Sequence, residues 1–416
     1  MFELNEQHRM IQDMFRQWCE RELLPRVPAF EKGEPPYDLM RQMLDSFGMR
    51  DALRASLRKR LAKMGDDGKP LADGGDGKPK EGDEIESAMR DPIISFLLVK
   101  EISRISPGFA TSFGVSTGLA GFNVMAKGTK RQIEKFGIPL VSLDKVGSWC
   151  LSEPGSGSDA FGSMRTTAKR SADGGYVLNG TKTFITNGPF ADVFVLYAKL
   201  DKGDGNPNKA VHAFLLERGM PGLSTGKPFD KMGMEDSPTS EVFLEDVHIP
   251  SENLLGEREK EPDAARDDTR QNLGHERSGI PAMCLGIIER CYELSMRYAK
   301  DRVQFGRPIL DFQAVQLKLA NMYIHYQNVW NAVMRLAWAA REGKADLAFT
   351  CAQKVYCAKA AVEVAMDSIQ IHGGYGYMRE YHVEKLARDA KMLELGAGTT
   401  DINLLQVVRL ERERLT

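Results

Sequence analysis

Two glycine-rich runs and the polar stretches near them carry the residues that could do chemistry. Trp149 to Gly162 reads WCLSEPGSGSDAFG. Gly155, Gly157 and Gly162 allow backbone angles that other residues resist, and close approach by a ligand. Ser156 and Ser158 bring hydroxyls, and their N–H groups can form an anion-binding nest. Alone, such a run is a solvated surface loop. It is followed by TKTFITNG from Thr181 to Gly188 and, much later, by DRVQFGRPILDFQ from Asp301, QIHGGYGYMRE from Gln370 and RDAKMLELGAGTT from Arg388. The paired Gly373 and Gly374 let backbone N–H groups approach a phosphate closely, although a turn between helices is needed there in any case. His372 sits inside that loop. A lone histidine is more often structural than catalytic, and it is given no role.

In order and wording, these motifs resemble the acyl-CoA dehydrogenase family of flavoproteins over nearly the whole chain. Linked motifs in one order are far more specific than any one of them. The resemblance implies FAD as cofactor. It places Trp149, Leu151 and Ser152 along the flavin ring, with Gly157 beside them and the Ser158 hydroxyl near the pyrophosphate. Phe184, Ile185 and Thr186 match the second wall. Without that company, Phe184 and Ile185 would be strand core. Arg302, Gln304 and Phe305 match a stretch reaching the adenine end of a neighbouring subunit's flavin, and Gln370, Gly373 and Gly374 a second phosphate-side loop. Gln313, Thr399 and Asp401 are further implied cofactor contacts. Ser158, Arg277, Ala397 and Gly398 are the implied substrate contacts.

The reaction so implied removes a proton from Cα of an acyl-CoA thioester and a hydride from Cβ, giving the trans-2-enoyl product. The α-proton is far too weakly acidic unless fixed donors polarise the carbonyl and a base is held within reach. Many family members carry a catalytic glutamate where this chain has Ala397, which cannot take a proton. Its N–H can still donate to the thioester carbonyl. A minority, the isovaleryl- and long-chain-type enzymes, place the base one residue before an arginine on another helix. Here that residue is Glu276, followed by Arg277 in LGHERSGIPAMCLG. Glu394 and Asp401 flank Ala397 as weaker rivals. An oxidase using dioxygen and a non-catalytic flavin-binding subunit stay open as alternatives. The resemblance also implies a homotetramer and an electron-transfer flavoprotein as electron acceptor.

The elements that must position these residues change character along the chain. Residues 4 to 60 show helical spacing, with Met10, Ile11, Met14, Phe15 and Trp18 on one stripe. Met64 to Asp83 is Gly-, Asp- and Lys-rich, and is expected to be a mobile inserted loop. Helical spacing resumes at Ile93. From Trp149 the period becomes that of strands. Tyr176 to Ile185 is expected to be a hairpin about Asn179-Gly180, and further strands are expected over 193–199, 211–216 and 242–249. After Arg277 the pattern is helical, with Ile280, Met283, Ile287, Cys291 and Leu294 on one stripe. Pro281 is tolerable in a first turn or at a kink. The expected fold is α+β and multidomain: an N-terminal helical domain (1–148), a middle β-barrel or sandwich domain (149–255) and a C-terminal four-helix bundle (256–416).

Composition excludes other classes. The 416 residues carry 56 basic and 58 acidic side chains, a net charge of −2, which argues against nucleic acid as partner. The six cysteines lie apart with no CxxC pair. Reduced, packed thiols are therefore expected, rather than a metal site or disulfides. No stretch approaches a membrane span, and the first residues lack an apolar signal core. A cytoplasmic setting is the expectation. No strand leads into a GxGxxG loop, so a nicotinamide dinucleotide is not expected.

Overall fold

The computed structural model describes residues 4–69, 91–201 and 210–415, with the side chains of 262–276 excepted. The N-terminal third is helical. Helix α1 (Glu6–Trp18) starts where Asn5 caps it, accepting from the His8 N–H at 2.7 Å. Its buried face is His8, Phe15 and Trp18, while Met10 and Met14 are exposed, so the expected stripe is narrower than the apolar residues suggested. Helix α2 (Tyr37–Ser46) and helix α3 (Met49–Leu61) follow. Helix α4 (Pro92–Ile105) opens on Asp91, whose side chain accepts from the Ile93 N–H, with Pro92 in the first turn where its missing N–H costs nothing. Within the expected loop Met64–Asp83, residues 70–83 lie outside the described residues. Its first residues are packed. Met64 is buried with Leu61, Ile133 and Ile138, and the Asp66 carbonyl accepts from Lys130 N–H at 3.1 Å.

The middle of the chain forms a seven-stranded sheet. Strands β1 (Gly147–Cys150) and β2 (Thr167–Arg170) lie parallel to β4 (Val193–Asp201), one at each end of it. Strand β5 (Val211–Glu217) pairs with β4 in antiparallel register. Strand β3 (Tyr176–Thr186) lies between β2 and β7 (Thr239–Ile249), and β6 (Leu223–Thr225) closes the order. Alternate residues of β4 face opposite ways. Phe194, Leu196 and Ala198 join an interior drawn almost entirely from strands, which requires the sheet to curl over it. Val193, Val195 and Tyr197 pack against Ala120, Val124, Phe136 and Leu140 of the helical region.

The expected hairpin at Asn179-Gly180 is not formed, because β3 runs straight through as one strand of 11 residues. A bulge falls between Leu178 and Gly180 instead. Asn179 exchanges two 2.9 Å hydrogen bonds with Asp246 across the sheet, one from its Nδ2 and one accepted from the Asp246 N–H. Gly180, at φ +149°, passes so close to Thr166 that a Cβ would lie 2.5 Å from its hydroxyl. The glycine serves strand crossing, not chain reversal.

The C-terminal part is a bundle. Helix α5 (Pro262–Asp301) runs 40 residues, helix α6 (Gln313–Arg341) and helix α7 (Leu347–His372) pack beside it, and helices α8 (Val383–Leu395) and α9 (Thr400–Leu415) finish the chain. Pro281 lies in the interior of α5, not in its first turn. It leaves the Arg277 carbonyl without its usual N–H donor. Buried Ile280, Ala282, Met283 and Cys284 around it hold the helix in the core. The N-terminal and C-terminal helices share one hydrophobic core, from Phe15 and Ile102 through Leu285 and Val364 to Leu393. All six cysteines are free and buried.

Those halves approach closely at Gly286. A Cβ there would lie 2.3 Å from the Lys100 carbonyl of α4. One turn on, Glu289 is buried and meets Lys100 Nζ at 2.9 Å, Arg104 at 2.7 Å and Arg16 at 3.0 Å. Burial alone would push its carboxyl up. Lys100, Arg104 and Arg16 outweigh that and lower it to about 2. Glu289 therefore stabilises the fold fully above the ordinary carboxylate pKa of about 4.3. That stabilisation is lost as pH falls through that value toward about 2. Glu289→Gln should cost about 3–5 kcal/mol at neutral pH by stranding buried cations. Urea unfolding of the two proteins should converge at acid pH, and equal stability at neutral pH would sink this assignment.

Candidate active site

The Gly/Ser run is a structured loop hung from strand β1. Glu153 is buried and ties the run to β3. Its carboxylate accepts from Arg165 N–H at 2.6 Å, Thr166 N–H at 3.0 Å and Lys182 Nζ at 2.8 Å. Burial pushes that carboxyl up, but Lys182 and these donors hold it below the usual carboxylate range. Ser152 accepts from Thr183 N–H at 3.0 Å through its carbonyl, so the two expected walls are adjacent. Trp149 is half-buried, edge-on to Tyr197, and its indole donates to the Tyr197 hydroxyl at 3.2 Å. Gly157 and Ser158 are exposed at the loop tip, whereas Ser156 is buried and donates to the Asp159 carbonyl.

Two of the expected wall residues are corrected. The Leu151 and Ile185 side chains are buried in the hydrophobic clusters on the two faces of the sheet, so only their backbone can meet a ligand. Phe184 does the opposite of core packing. The bulge between Lys182 and Ile185 puts it at φ +56° and leaves its ring 71% exposed, beside Phe229 at 5.8 Å. An exposed aromatic face on a left-handed residue is a ready platform for a flat ring. Asn187, directly after β3, is buried. Its amide donates to the carbonyls of Ser112 at 3.0 Å and Gly147 at 2.9 Å, and accepts from the hydroxyls of Tyr37 and Ser112. It fixes the end of β3 to the N-terminal helices.

A second cluster forms around the loop 396–399. Ala397 is buried at φ +56°, a left-handed conformation uncommon outside glycine. Arg277 Nε donates to the Ala397 carbonyl at 3.1 Å. Lys354 Nζ donates to the carbonyls of Gly398 at 2.7 Å and Glu394 at 3.2 Å. Asn403 Nδ2 meets the carbonyls of Gly398 at 2.7 Å and Thr399 at 3.0 Å. With its carbonyls so held, the loop keeps an Ala397 N–H that meets no acceptor among the described residues. Of the four implied substrate contacts, Arg277, Ala397 and Gly398 lie together, with Arg277 buried against the loop, whereas Ser158 is on the Gly/Ser run. Lys354 and Asn403 were not singled out from sequence. Thr399 accepts from Ile402 N–H through its hydroxyl, and so caps helix α9. Asp401 is exposed on that helix's first turn, and Glu394 pairs with Lys391. Glu276 lies on α5 immediately before Arg277; its side chain is outside the described residues.

The third set lines a pocket of about 510 Å³, within the usual range for small-molecule sites. Arg302, Gln304, Gly373 and Gly374 line it together, with Tyr298, His372 and Tyr375 among their neighbours. A Cβ at either Gly373 or Gly374 would meet nothing within 4 Å, so the backbone there is open to a ligand. Phe305 stands 94% exposed at the tip of the hairpin Val303–Pro308, outside the lining. Gln370 and Gln313 are also exposed and outside the lining, and the Gln370 carbonyl accepts the Gly373 N–H that ends α7. None of Trp149, Ser152, Ser158, Phe184 and Thr186 lines this pocket. Apart from Thr399 and Asp401 at the 396–399 loop and the exposed Gln313, the expected cofactor residues fall into two places on one chain. An exposed aromatic platform in one and an open glycine backbone beside an arginine in the other fit the two ends of a flavin dinucleotide.

Comparison with known proteins gives the same picture. The family model for the acyl-CoA dehydrogenase middle domain matches residues 148–247, and that for the acyl-CoA dehydrogenase C-terminal domain matches 267–410. The chain is 39% identical to a mitochondrial isovaleryl-CoA dehydrogenase of Oryza sativa subsp. japonica, over 75% of each protein. The structure of butyryl-CoA dehydrogenase from Megasphaera elsdenii superposes with a TM-score of 0.80 at 31% identity, covering 99% of both chains. An acyl-CoA dehydrogenase from Bacillus anthracis complexed with FAD superposes at 0.79 with 29% identity, over 99% of this chain and 68% of that one.

The loop makes a demand that Asn403 alone can test. Asn403→Ala removes a buried donor from carbonyls and should cost about 1–3 kcal/mol in urea unfolding. Asn403→Asp should be worse than alanine despite its similar shape, because a carboxylate would face the same carbonyl oxygens with nothing to donate. An aspartate variant as stable as wild type would show that these bonds do not hold the loop.

Proposed function

The chain belongs to the acyl-CoA dehydrogenase family, and from that premise we propose that it dehydrogenates a branched or bulky acyl-CoA thioester with Glu276 as the base. It is an oxidoreductase of that family, and FAD is its cofactor. When bound, FAD supplies the hydride acceptor that no side chain can provide. The protein's own part is to polarise the thioester carbonyl, take the α-proton and keep the acyl chain in place.

The observation that carries this reading is the tethering of the loop 396–399 by Arg277. Arg277 lies on the Ala397 carbonyl, which supports a base carried by the residue before it. The Ala397 N–H is available to the thioester oxygen, where a fixed donor is worth most as negative charge develops. The Glu276 carboxylate then takes the proton from Cα. The rival carboxylates are less suited: Glu394 is engaged by Lys391, and Asp401 is exposed in the first turn of α9. Alanine in place of a glutamate leaves room beside Cα and Cβ, which favours the branched or bulky acyl group.

Electrons leave to an electron-transfer flavoprotein, and the active form is a homotetramer in a reducing, cytoplasmic setting. Two features support the tetramer. Apolar side chains are exposed on α6 (Leu317, Ile324) and on α9 (Leu404, Leu405, Val408). The two groups of cofactor residues on one chain also suit flavins shared between subunits. The buried, unpaired cysteines suit the setting.

The purified protein should be yellow. Glu276→Gln should keep its flavin and bind acyl-CoA, since shape and polarity survive. Bleaching of the flavin by substrate in stopped flow should slow by about 100- to 10,000-fold. A variant that bleaches as fast as wild type would move the base elsewhere. Turnover sustained by dioxygen alone would overturn the flavoprotein acceptor in favour of an oxidase.

A further inference from the structure

His372 is 4% exposed, yet it lines the pocket of Arg302, Gln304, Gly373 and Gly374. Its ring is locked on two sides. It stacks on Tyr298, with centroids 4.4 Å apart and planes at 28°. Its Nδ1 lies 2.8 Å from the Ser368 carbonyl, which can only accept, so Nδ1 carries the proton and donates. Burial favours the neutral ring, only partly offset by that carbonyl. In that tautomer Nε2 is a lone-pair acceptor. It has no partner among the described residues, nor is it among the buried polar atoms left without one. It lies on the ring edge turned away from the Ser368 carbonyl. An acceptor held in one tautomer and one orientation on a pocket-lining ring selects a ligand that offers a donor there, because a ligand that covers it without one leaves the acceptor unpaired.

We propose that His372 is a specificity residue for the nucleoside end of the dinucleotide, its Nε2 accepting a hydrogen bond from an exocyclic amine or a ribose hydroxyl. The surroundings suit a nucleoside. Tyr375 and Tyr381 lie near the His372–Tyr298 stack, Arg302 lies over the Tyr375 ring at 5.8 Å, and the two glycines leave the backbone open to phosphate. The inference rests on the flavin reading of this pocket and adds to it a reader of the base or the sugar.

The test measures how tightly FAD is held, not turnover. His372→Phe keeps a ring against Tyr298 and removes the acceptor, whereas His372→Gln restores one. Flavin release from the purified holoenzyme, followed by the fluorescence of freed flavin, should be about 3- to 10-fold faster for the phenylalanine variant. Release from the glutamine variant should be close to wild type. On the wild-type protein, FAD analogues with hypoxanthine for adenine, or with a deoxyribose, are exchanged against bound FAD. One of them should bind more weakly by the same factor, which also tells the amine from the hydroxyl. The proposal is overturned if the phenylalanine variant holds FAD as wild type does, or if wild type discriminates against neither analogue. A wild-type protein that binds no FAD at all overturns the flavin reading itself and this inference with it.

Discussion

Glu289 can leave water only if every oxygen is met, and meeting them decides where the two helical parts of the chain sit. Helix α4 and helix α5 are separated by the whole β region in sequence. They touch where Gly286 removes a side chain, and there Lys100, Arg104 and Arg16 close on Glu289. A buried carboxylate left unpaired costs several kcal/mol, so small displacements of either helix are resisted. Apolar packing alone would not set the register so sharply, because it is non-directional. Once α5 is held there, Arg277 a few turns earlier has one place to go, and the loop carrying Ala397 is held against it.

The same solution recurs where the sheet meets the helices. Lys385 of α8 is buried between Asp389, at 2.5 Å, and Asp236 from the loop before β7, at 3.9 Å. Ser106 at the end of α4 donates to Asp236, and Asp389 accepts the Met234 N–H at 2.5 Å. Asn187 makes the other joint, reaching Tyr37 of α2, Ser112 and Gly147 of β1 through neutral bonds. These buried polar contacts tie three sequence-distant regions into one arrangement. They do so with groups that gain little net stability but lose much if left unmet. The platform at Phe184 and the loop at Ala397 are therefore held from opposite sides of one scaffold.

Much of this was legible in the sequence, and the parts that were not share a cause. The change of hydrophobic period at Trp149, and its return after Arg277, marks the sheet between helices because side-chain direction follows that period. Arg302 and Gln304 could be joined to Gly373 and Gly374 only through a motif order, since no local pattern links residues so far apart. Lys354, Asn403, Lys182 and Asn187 carry no local signal: each is a single polar residue whose partner is distant in sequence. The pair Asn179-Gly180 suits both a turn and a bulged strand, and the choice between them is made by Asp246 on β7 and Thr166 just before β2. Met10 and Met14 fit the helical stripe but not the width of the groove their helix enters.

Ala397 shows how loss of a side chain can leave a site's geometry intact. The left-handed turn at φ +56° is imposed by Arg277, Lys354 and Asn403 pulling on the carbonyls around it. None of those bonds uses the side chain of residue 397. The loop would keep its shape with a glutamate there or with a methyl group, so the donor N–H and the space beside it vary independently. The loop's place against α5 is kept as long as α4 and α5 stay in register. That register is what Gly286 and the charges around Glu289 enforce. The place of the loop thus depends on a buried ion cluster a few turns further along α5.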